Sequence, residues 1–246
     1  IKHLPFMLTA MKRTQDRLKE LKPNRIILID YPGFNLRLAK KVAALKAPIT
    51  YFVLPQLWAW KEKRIKVFQK YIDQSLSIFP FEKNWFEARS VLTSFVGHPF
   101  SDIVGPETNK AQFLSKHGLS KSDDVLILLP GSRQQEIDRL WPIYCRTIDM
   151  LRLEIPELKI IVGKASGVII PKVIKGLLYE EQDVRAAMAY GTVALTASGT
   201  ATLECAVLDT PEVVCYKLSI LSGQIAKRIN RSPFISMANL IVGRKI

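Results

Sequence analysis

The sequence has little sulfur and little imidazole: three cysteines and three histidines in 246 residues. Cys145, Cys205 and Cys215 are far apart, form no C-x-x-C pair and stand in apolar stretches. That spacing argues against a disulfide framework or a thiolate metal centre, and for reduced core residues of a cytosolic protein. No segment approaches the roughly 18 consecutive apolar residues of a membrane-spanning helix, and the residues from Ile1 onward do not follow the signal-peptide pattern. Acidic residues are also scarce, 22 against 36 lysines and arginines, which leaves a net charge of +14. A hydrophobic content of 48% with interspersed charge excludes a disordered chain. The length lies between one large domain and two ordinary ones.

The deficit of acid is uneven. Residues 1–100 hold 18 Lys or Arg against 7 Asp or Glu, whereas residues 101–246 hold 18 against 15. The first part is therefore built to meet an anionic surface, and charge alone does not choose between a membrane and a nucleic acid.

Apolar periodicity predicts an α/β chain. "LPFMLTAMKRTQDRLKELKP" has the spacing of an amphipathic helix closed by Pro23, and "RIILID" is too short for a helix core and reads as a buried strand. The alternation continues with a helix over 35–45, strand "ITYFVL", a helix over 59–71, strand "QSLSIF", helix "EKNWFEARS" and strand "LTSFVG". Residues 101–124, rich in turn formers, are expected to be the junction between a first domain (1–100) and a second (125–246). The second domain continues with strand 125–129, a helix over 136–154, strand "LKIIVG", a helical piece ending near Tyr179, helix "EQDVRAAMAY", strand "TVALTA", a helix over 200–208 and strand "EVVCYK". Between Gly163 and Gly191 no middle strand is evident. The fold class is two doubly wound, Rossmann-like parallel sheets covered on both faces, with ligands at the carboxyl ends of the strands and a cleft between the domains.

Three corners carry candidate chemistry. In "LLPGSRQQEI" a strand ends at Gly131 and Ser132 and a helix follows Arg133. The first amides of that helix and the arginine fork suit a phosphate; alternatively, Gly131 only relieves the turn and Arg133 pairs with Glu136 or points to solvent. "LTASGTATLE" repeats the arrangement with Ser198, Gly199, Thr200 and Thr202, and sets Glu204 one turn inside, where a carboxylate can accept ribose hydroxyls or merely stabilise the helix start. Two anion corners in one half point to a diphosphate nucleotide. In the first half, "LIDYPGFN" puts Asp30 at a strand end, as a base toward a hydroxyl or as a cap for the next helix. "LPQLWAWKEKRIKVFQKY" joins Gln56, Trp58 and Trp60 to a basic run, which can stack a base, pack a loop or meet lipid headgroups. His98 stands at a strand end, while His3 and His117 read as peripheral.

"DYPGFNLRLAKK", "LPQLWAW", "FPFEKNWF", "FVGHPFSD", "LLPGSRQQEI" and "ASGTATLE", in this order, resemble the lipid-A-disaccharide synthase family over almost the whole chain. By this resemblance the chain reads as an internal portion of such an enzyme. The resemblance implies an inverting, GT-B type glycosyltransferase. It moves 2,3-diacylglucosamine from its UDP-linked form to 2,3-diacylglucosamine 1-phosphate, with UDP-sugar as substrate, no redox cofactor and no metal. It implies that Asp30 is the general base toward the acceptor 6-hydroxyl and that Arg133 neutralises the departing diphosphate. Glu204 then belongs to the ribose site, Gln56, Trp58 and His98 line the cleft, and Asn239 is retained although Ala238 replaces the family's proline. The implied setting is the cytoplasmic face of the inner membrane of a Gram-negative bacterium, on an anionic membrane surface, with a homodimer possible and no nucleic acid. The alternatives are another UDP-sugar enzyme, such as a UDP-N-acetylglucosamine epimerase, or a basic nucleic-acid-binding protein. An epimerase needs further acid and base groups, and a nucleic-acid binder leaves the two anion corners unused.

Overall fold

A computed structural model describes residues 4–102, 105–217, 237–242 and 244. The chain forms two compact units that part between Pro99 and Phe100.

The first unit is a four-stranded parallel sheet in the order β1-β2-β3-β4: Ile26–Ile29, Ile49–Phe52, Gln74–Ser77 and Thr93–Phe95. Helix α1 (Leu4–Leu21) precedes it, and α2 (Pro32–Val42), α3 (Ile65–Tyr71) and α4 (Pro80–Glu87) link the strands. Proline begins α2 and α4, where its missing N–H costs no hydrogen bond. Ile26, Leu28, Ile49 and Tyr51 pack against Leu36, Val42, Phe68 and Phe86, with a ring run Tyr51–Phe68–Phe86 at centroid distances of 5.1 and 5.2 Å.

Among the described residues, one face of the edge strand β1 of this Rossmann-like sheet is open. Ile27 and Ile29 of β1 are about 60% exposed (61% and 59%). Strands laid down in one direction, with the right-handed crossovers that parallel strands almost always use, stack their helices on a single face. The predicted helix over 59–71 is also shorter. Residues 56–60 form a turn and Glu62–Arg64 a 3₁₀ turn before α3 begins at Ile65.

The second unit is doubly wound. Its parallel sheet runs β7-β6-β5-β8-β9, built from Val125–Leu129 (β5), Lys159–Gly163 (β6), Leu178–Glu180 (β7), Val193–Ala197 (β8) and Glu212–Cys215 (β9). Every residue of β5 is buried, as the central strand of a two-sided sheet must be. The helices are α5 (Lys110–His117), α6 (Gln134–Glu154), α7 (Val184–Tyr190), α8 (Thr200–Val207) and α9 (Met237–Val242). The strand order reverses at β5, which pairs with β6 on one side and β8 on the other.

Three expectations are corrected here. A middle strand exists: β7 pairs in parallel with β6, Ile161 opposite Leu178 and Gly163 opposite Glu180, in place of the helical piece ending near Tyr179. It is three residues long and at the sheet edge, too short to show a period. Residues 110–117, expected within a junction, form α5, which opens with an Asn109/Gln112 capping box and buries Phe113 and Leu114 with Ile127 and Ala186. And His117 is not peripheral. Its side chain is 6% exposed and its Nε2 lies 2.9 Å from Glu180 at the end of β7, where Lys116 also reaches at 2.7 Å. Burial pushes the Glu180 carboxyl up, yet Lys116, the Asp183 amide, His117 and the Gln182 amide outweigh it and hold it down at about 2. The charged carboxylate thus pins α5 to the short strand. His3 lies outside the described residues.

Candidate functional site

At the carboxyl edge of the first sheet the backbone is strained at three non-glycine residues. Asp30 (φ +46°) and Tyr31 (φ +42°) follow β1, and Val53 (φ +59°) follows β2. Left-handed conformations of this kind cost about 1–3 kcal/mol each and persist where the surroundings over-determine them, which is why they gather at functional sites. The surroundings of Asp30 do so. Its amide donates to the Phe52 carbonyl at 2.9 Å. Its carbonyl accepts from the Tyr51 hydroxyl at 2.6 Å and the Asn35 amide nitrogen at 2.7 Å, and Asn35 also reaches the Ile29 carbonyl at 2.9 Å.

The side chain is left for other work. The residue before α2 is Tyr31, with no side-chain cap, so Asp30 does not cap that helix. Among the described residues its carboxylate accepts no hydrogen bond, and Asp30 is exposed. Burial and then the Asp30 charge push the Tyr51 phenol up, against a weaker pull from Arg64, so Tyr51 stays a donor.

Gln56, Trp58 and His98 reach the same edge from the ends of β2 and β4. Gln56 is exposed, and its carbonyl accepts from the amides of Ala59 and Trp60, which closes the turn that presents Trp58. Trp58 meets Phe81 edge-on at 5.2 Å, Phe81 stacks on Phe79 at 5.8 Å, and Phe79 lies against His98 at 5.3 Å. Burial lowers the pKa of His98 from its usual 6.5. Through "FPFE", three separate stretches of sequence thus become one aromatic cluster. Trp60, by contrast, is 43% exposed, with the Lys61 ammonium 4.1 Å over its ring.

Sequence reasoning passed over Glu82, which read only as part of a helix. It sits in the first turn of α4, 1% exposed, and accepts from the Trp58 indole at 3.3 Å, while among the described residues its Oε2 has no hydrogen-bond partner. Burial raises its pKa to about 7, against weaker hydrogen bonds from Trp58 and the Phe79 backbone. The signal available in sequence was an acid set among aromatics in "FPFEKNWF".

In the second unit the two glycine corners are neighbours. β5 and β8 pair in parallel, Leu129 opposite Thr196, so residues 130–133 and 198–200 emerge side by side where the strand order reverses. That switch point is where doubly wound sheets bind ligands. Gly131 is needed for its backbone, at φ +121°, and an added Cβ would lie 2.8 Å from Glu136 Oε2. Ser132 is exposed, and Arg133 takes the N-cap position of α6, its carbonyl accepting from the Glu136 amide at 2.9 Å. The bland pairing is present here: Arg133 Nη1 lies 2.8 Å from Glu136 Oε1, with the arginine 78% exposed. At the second corner the Ser198 amide is held by Cys215, Gly199 has open space around it, and Thr200 starts α8. The Thr202 hydroxyl is turned back to the Gly199 carbonyl at 2.8 Å and is not offered outward. Glu204, one turn into α8, meets Arg185 of α7 at 3.1 Å. Asn239 lies on α9, which packs against α8.

Comparison with known proteins places the chain as a whole. A family model described as lipid-A-disaccharide synthetase matches residues 1–246. The lipid-A-disaccharide synthase of Granulibacter bethesdensis is 34% identical over 259 residues, covering 100% of this chain and 65% of that protein. Lipid-A-disaccharide synthase 1 of Legionella pneumophila (strain Lens) is 38% identical over 256 residues, covering 98% and 66%. The chain thus spans about two thirds of the length of these relatives. Among solved structures, a UDP-GlcNAc 2-epimerase from Neisseria meningitidis bound to UDP-GlcNAc is similar in fold, with a TM-score of 0.62 at 13% identity, covering 96% of this chain and 71% of that one.

Proposed function

This chain belongs to the lipid-A-disaccharide synthetase family, and we propose that the full-length protein transfers 2,3-diacylglucosamine from its UDP-linked form to 2,3-diacylglucosamine 1-phosphate. The products are UDP and a β-1,6-linked disaccharide 1-phosphate. The observation that carries the donor half is the pair of small polar corners at the switch point of the second sheet, with Arg133 at one and Glu204 one turn into the other. Arg133 exchanges Glu136 for the diphosphate, the helix-start amides near Ser132 and Thr200 share its charge, and Glu204 takes the ribose hydroxyls.

In the reaction the acceptor's 6-hydroxyl oxygen attacks the anomeric carbon and the carbon–oxygen bond to the diphosphate breaks. The hydroxyl proton passes to Asp30 and the diphosphate leaves on UDP with inversion at carbon. No redox cofactor and no metal-centred step enters this reading. An epimerase reading rests on a fold likeness at 13% identity, which carries no chemistry. The test is to incubate the full-length protein with both sugars and to follow UDP and the disaccharide phosphate by mass. Equal amounts of both are expected; donor binding without disaccharide would send the function to another UDP-sugar reaction.

The acceptor and donor are lipids, and we place the protein peripherally on the anionic cytoplasmic face of a Gram-negative inner membrane. No helix of the described residues is long and apolar enough to span a bilayer. In the first unit, Phe6 and Leu8 of α1 are 72% and 61% exposed, one to two turns from Lys12 and Arg13, an arrangement suited to an interface of headgroups and acyl chains. Sedimentation with vesicles containing anionic lipid should show binding that falls as salt rises from about 0.05 to 0.5 M, since screening shortens the reach of the basic residues. Binding that ignores salt rules out the electrostatic part of this placement.

A further inference from the structure

We infer that Glu82 is a positioning residue: its carboxyl group fixes the Trp58 indole at the carboxyl edge of the first sheet and so shapes the surface that meets the sugar acceptor. The link to the acceptor rests on the proposed transferase activity; the link to Trp58 does not.

Glu82 is the third residue of α4, where an acid ordinarily sits at the surface and reaches back to the residue before the helix. Here it keeps the link back to the Phe79 backbone but is folded inward, 1% exposed. A buried carboxyl group is costly unless it is hydrogen-bonded or protonated, and a partly buried indole N–H needs an acceptor. Each supplies what the other lacks, at 3.3 Å, across 24 residues of sequence. No charged side chain is among the groups that set its protonation: these are burial itself, Trp58 and the Phe79 backbone. Lys83 next to it is directed to Glu87 at 4.0 Å, and His98 lies at the other end of the ring chain, against Phe79. Glu82 is thus a polar anchor at the Trp58 end of the chain of rings that runs through Phe81 and Phe79 to His98, and among the described residues its second oxygen has no hydrogen-bond partner.

The test uses the full-length protein labelled with fluorotryptophan, with the ¹⁹F resonance of Trp58 assigned by Trp58→Phe. Glu82→Leu should move the Trp58 resonance and leave that of Trp141, in the other unit, in place. It should raise the acceptor KM about tenfold, with turnover changed far less, as expected when a positioning hydrogen bond is lost. Glu82→Gln keeps an accepting oxygen and should restore both. A Trp58 resonance unmoved in folded Glu82→Leu overturns the inference. If Glu82→Leu does not fold, a pH titration replaces it. The Trp58 resonance of the unmodified sequence should shift with a midpoint near 7, and that shift should vanish in Glu82→Gln. The same shift in both would assign it to His98 and overturn the inference. A Trp58 response without any transferase activity upholds the Glu82–Trp58 link and counts against the proposed function alone.

Discussion

Asparagine at position 30 should lower turnover by about 10²–10⁴-fold in the full-length protein and leave KM for both sugars within a factor of a few. The carboxylate is the only part of Asp30 that this substitution removes. The bonds that hold the residue in place run to its backbone, from Tyr51 and Asn35 to its carbonyl and from its amide to Phe52. Asparagine, like aspartate, tolerates the left-handed conformation at φ +46°. Stability should therefore stay within about 0.5 kcal/mol, because no buried contact changes. A carboxylate is a weak base toward an alcohol, but it needs to take the proton only as the bond to the diphosphate breaks. Steady-state kinetics and thermal melting on the same preparation decide the matter. Normal turnover in Asp30→Asn ends the general-base role, and a lost fold would place Asp30 in the turn rather than in the chemistry.

The strain that singles out Asp30 was beyond the reach of sequence, although its place at a strand end was not. "RIILID" followed by "YPGFN" announces a strand, a corner and a helix with proline at its start, and those elements are present at β1 and α2. What periodicity does not encode is the hydroxyl of Tyr51, 21 residues on, that clamps the corner. The same division recurs through the molecule. The glycine corners after β5 and β8 are local signals and were legible, whereas their adjacency comes from the pairing of Leu129 with Thr196 across the sheet. His117 looked peripheral because its partner Glu180 comes 63 residues later. Strand β7 was missed because three residues carry no period, and its place depends on β6 and on the ion pair beneath it. Glu82 was invisible as a site residue because an acid in the first turn of a helix has an ordinary local explanation. Short-range chemistry was readable, and long-range partnership was not.

Removal of the Arg133 guanidinium should produce the second large effect: Arg133→Ala should lower kcat/KM by about 10²–10³-fold, the range seen when one donor to a developing oxyanion is lost. Weaker binding of UDP should accompany it, since the product carries the same diphosphate. The fold should be indifferent. The Arg133 side chain is 78% exposed and, among the described residues, paired only with Glu136 one turn along, and such surface pairs contribute about 0–1 kcal/mol. The pairing also makes a test between the two readings of this residue. If Arg133 serves the helix through Glu136, then Glu136→Gln should resemble Arg133→Ala in stability and leave UDP affinity alone. If it serves the diphosphate, Glu136→Gln frees the guanidinium and should strengthen UDP binding, while Arg133→Ala weakens it. Lysine at 133 separates charge from shape: it restores the positive charge but not the planar fork that grips two phosphate oxygens, so partial recovery is expected. Calorimetric titration of UDP into the four proteins measures all of this without the lipid substrates. Equal UDP affinity in Arg133→Ala and the unmodified sequence would move the diphosphate away from the α6 corner, leaving the amides around Thr200 as its remaining holder.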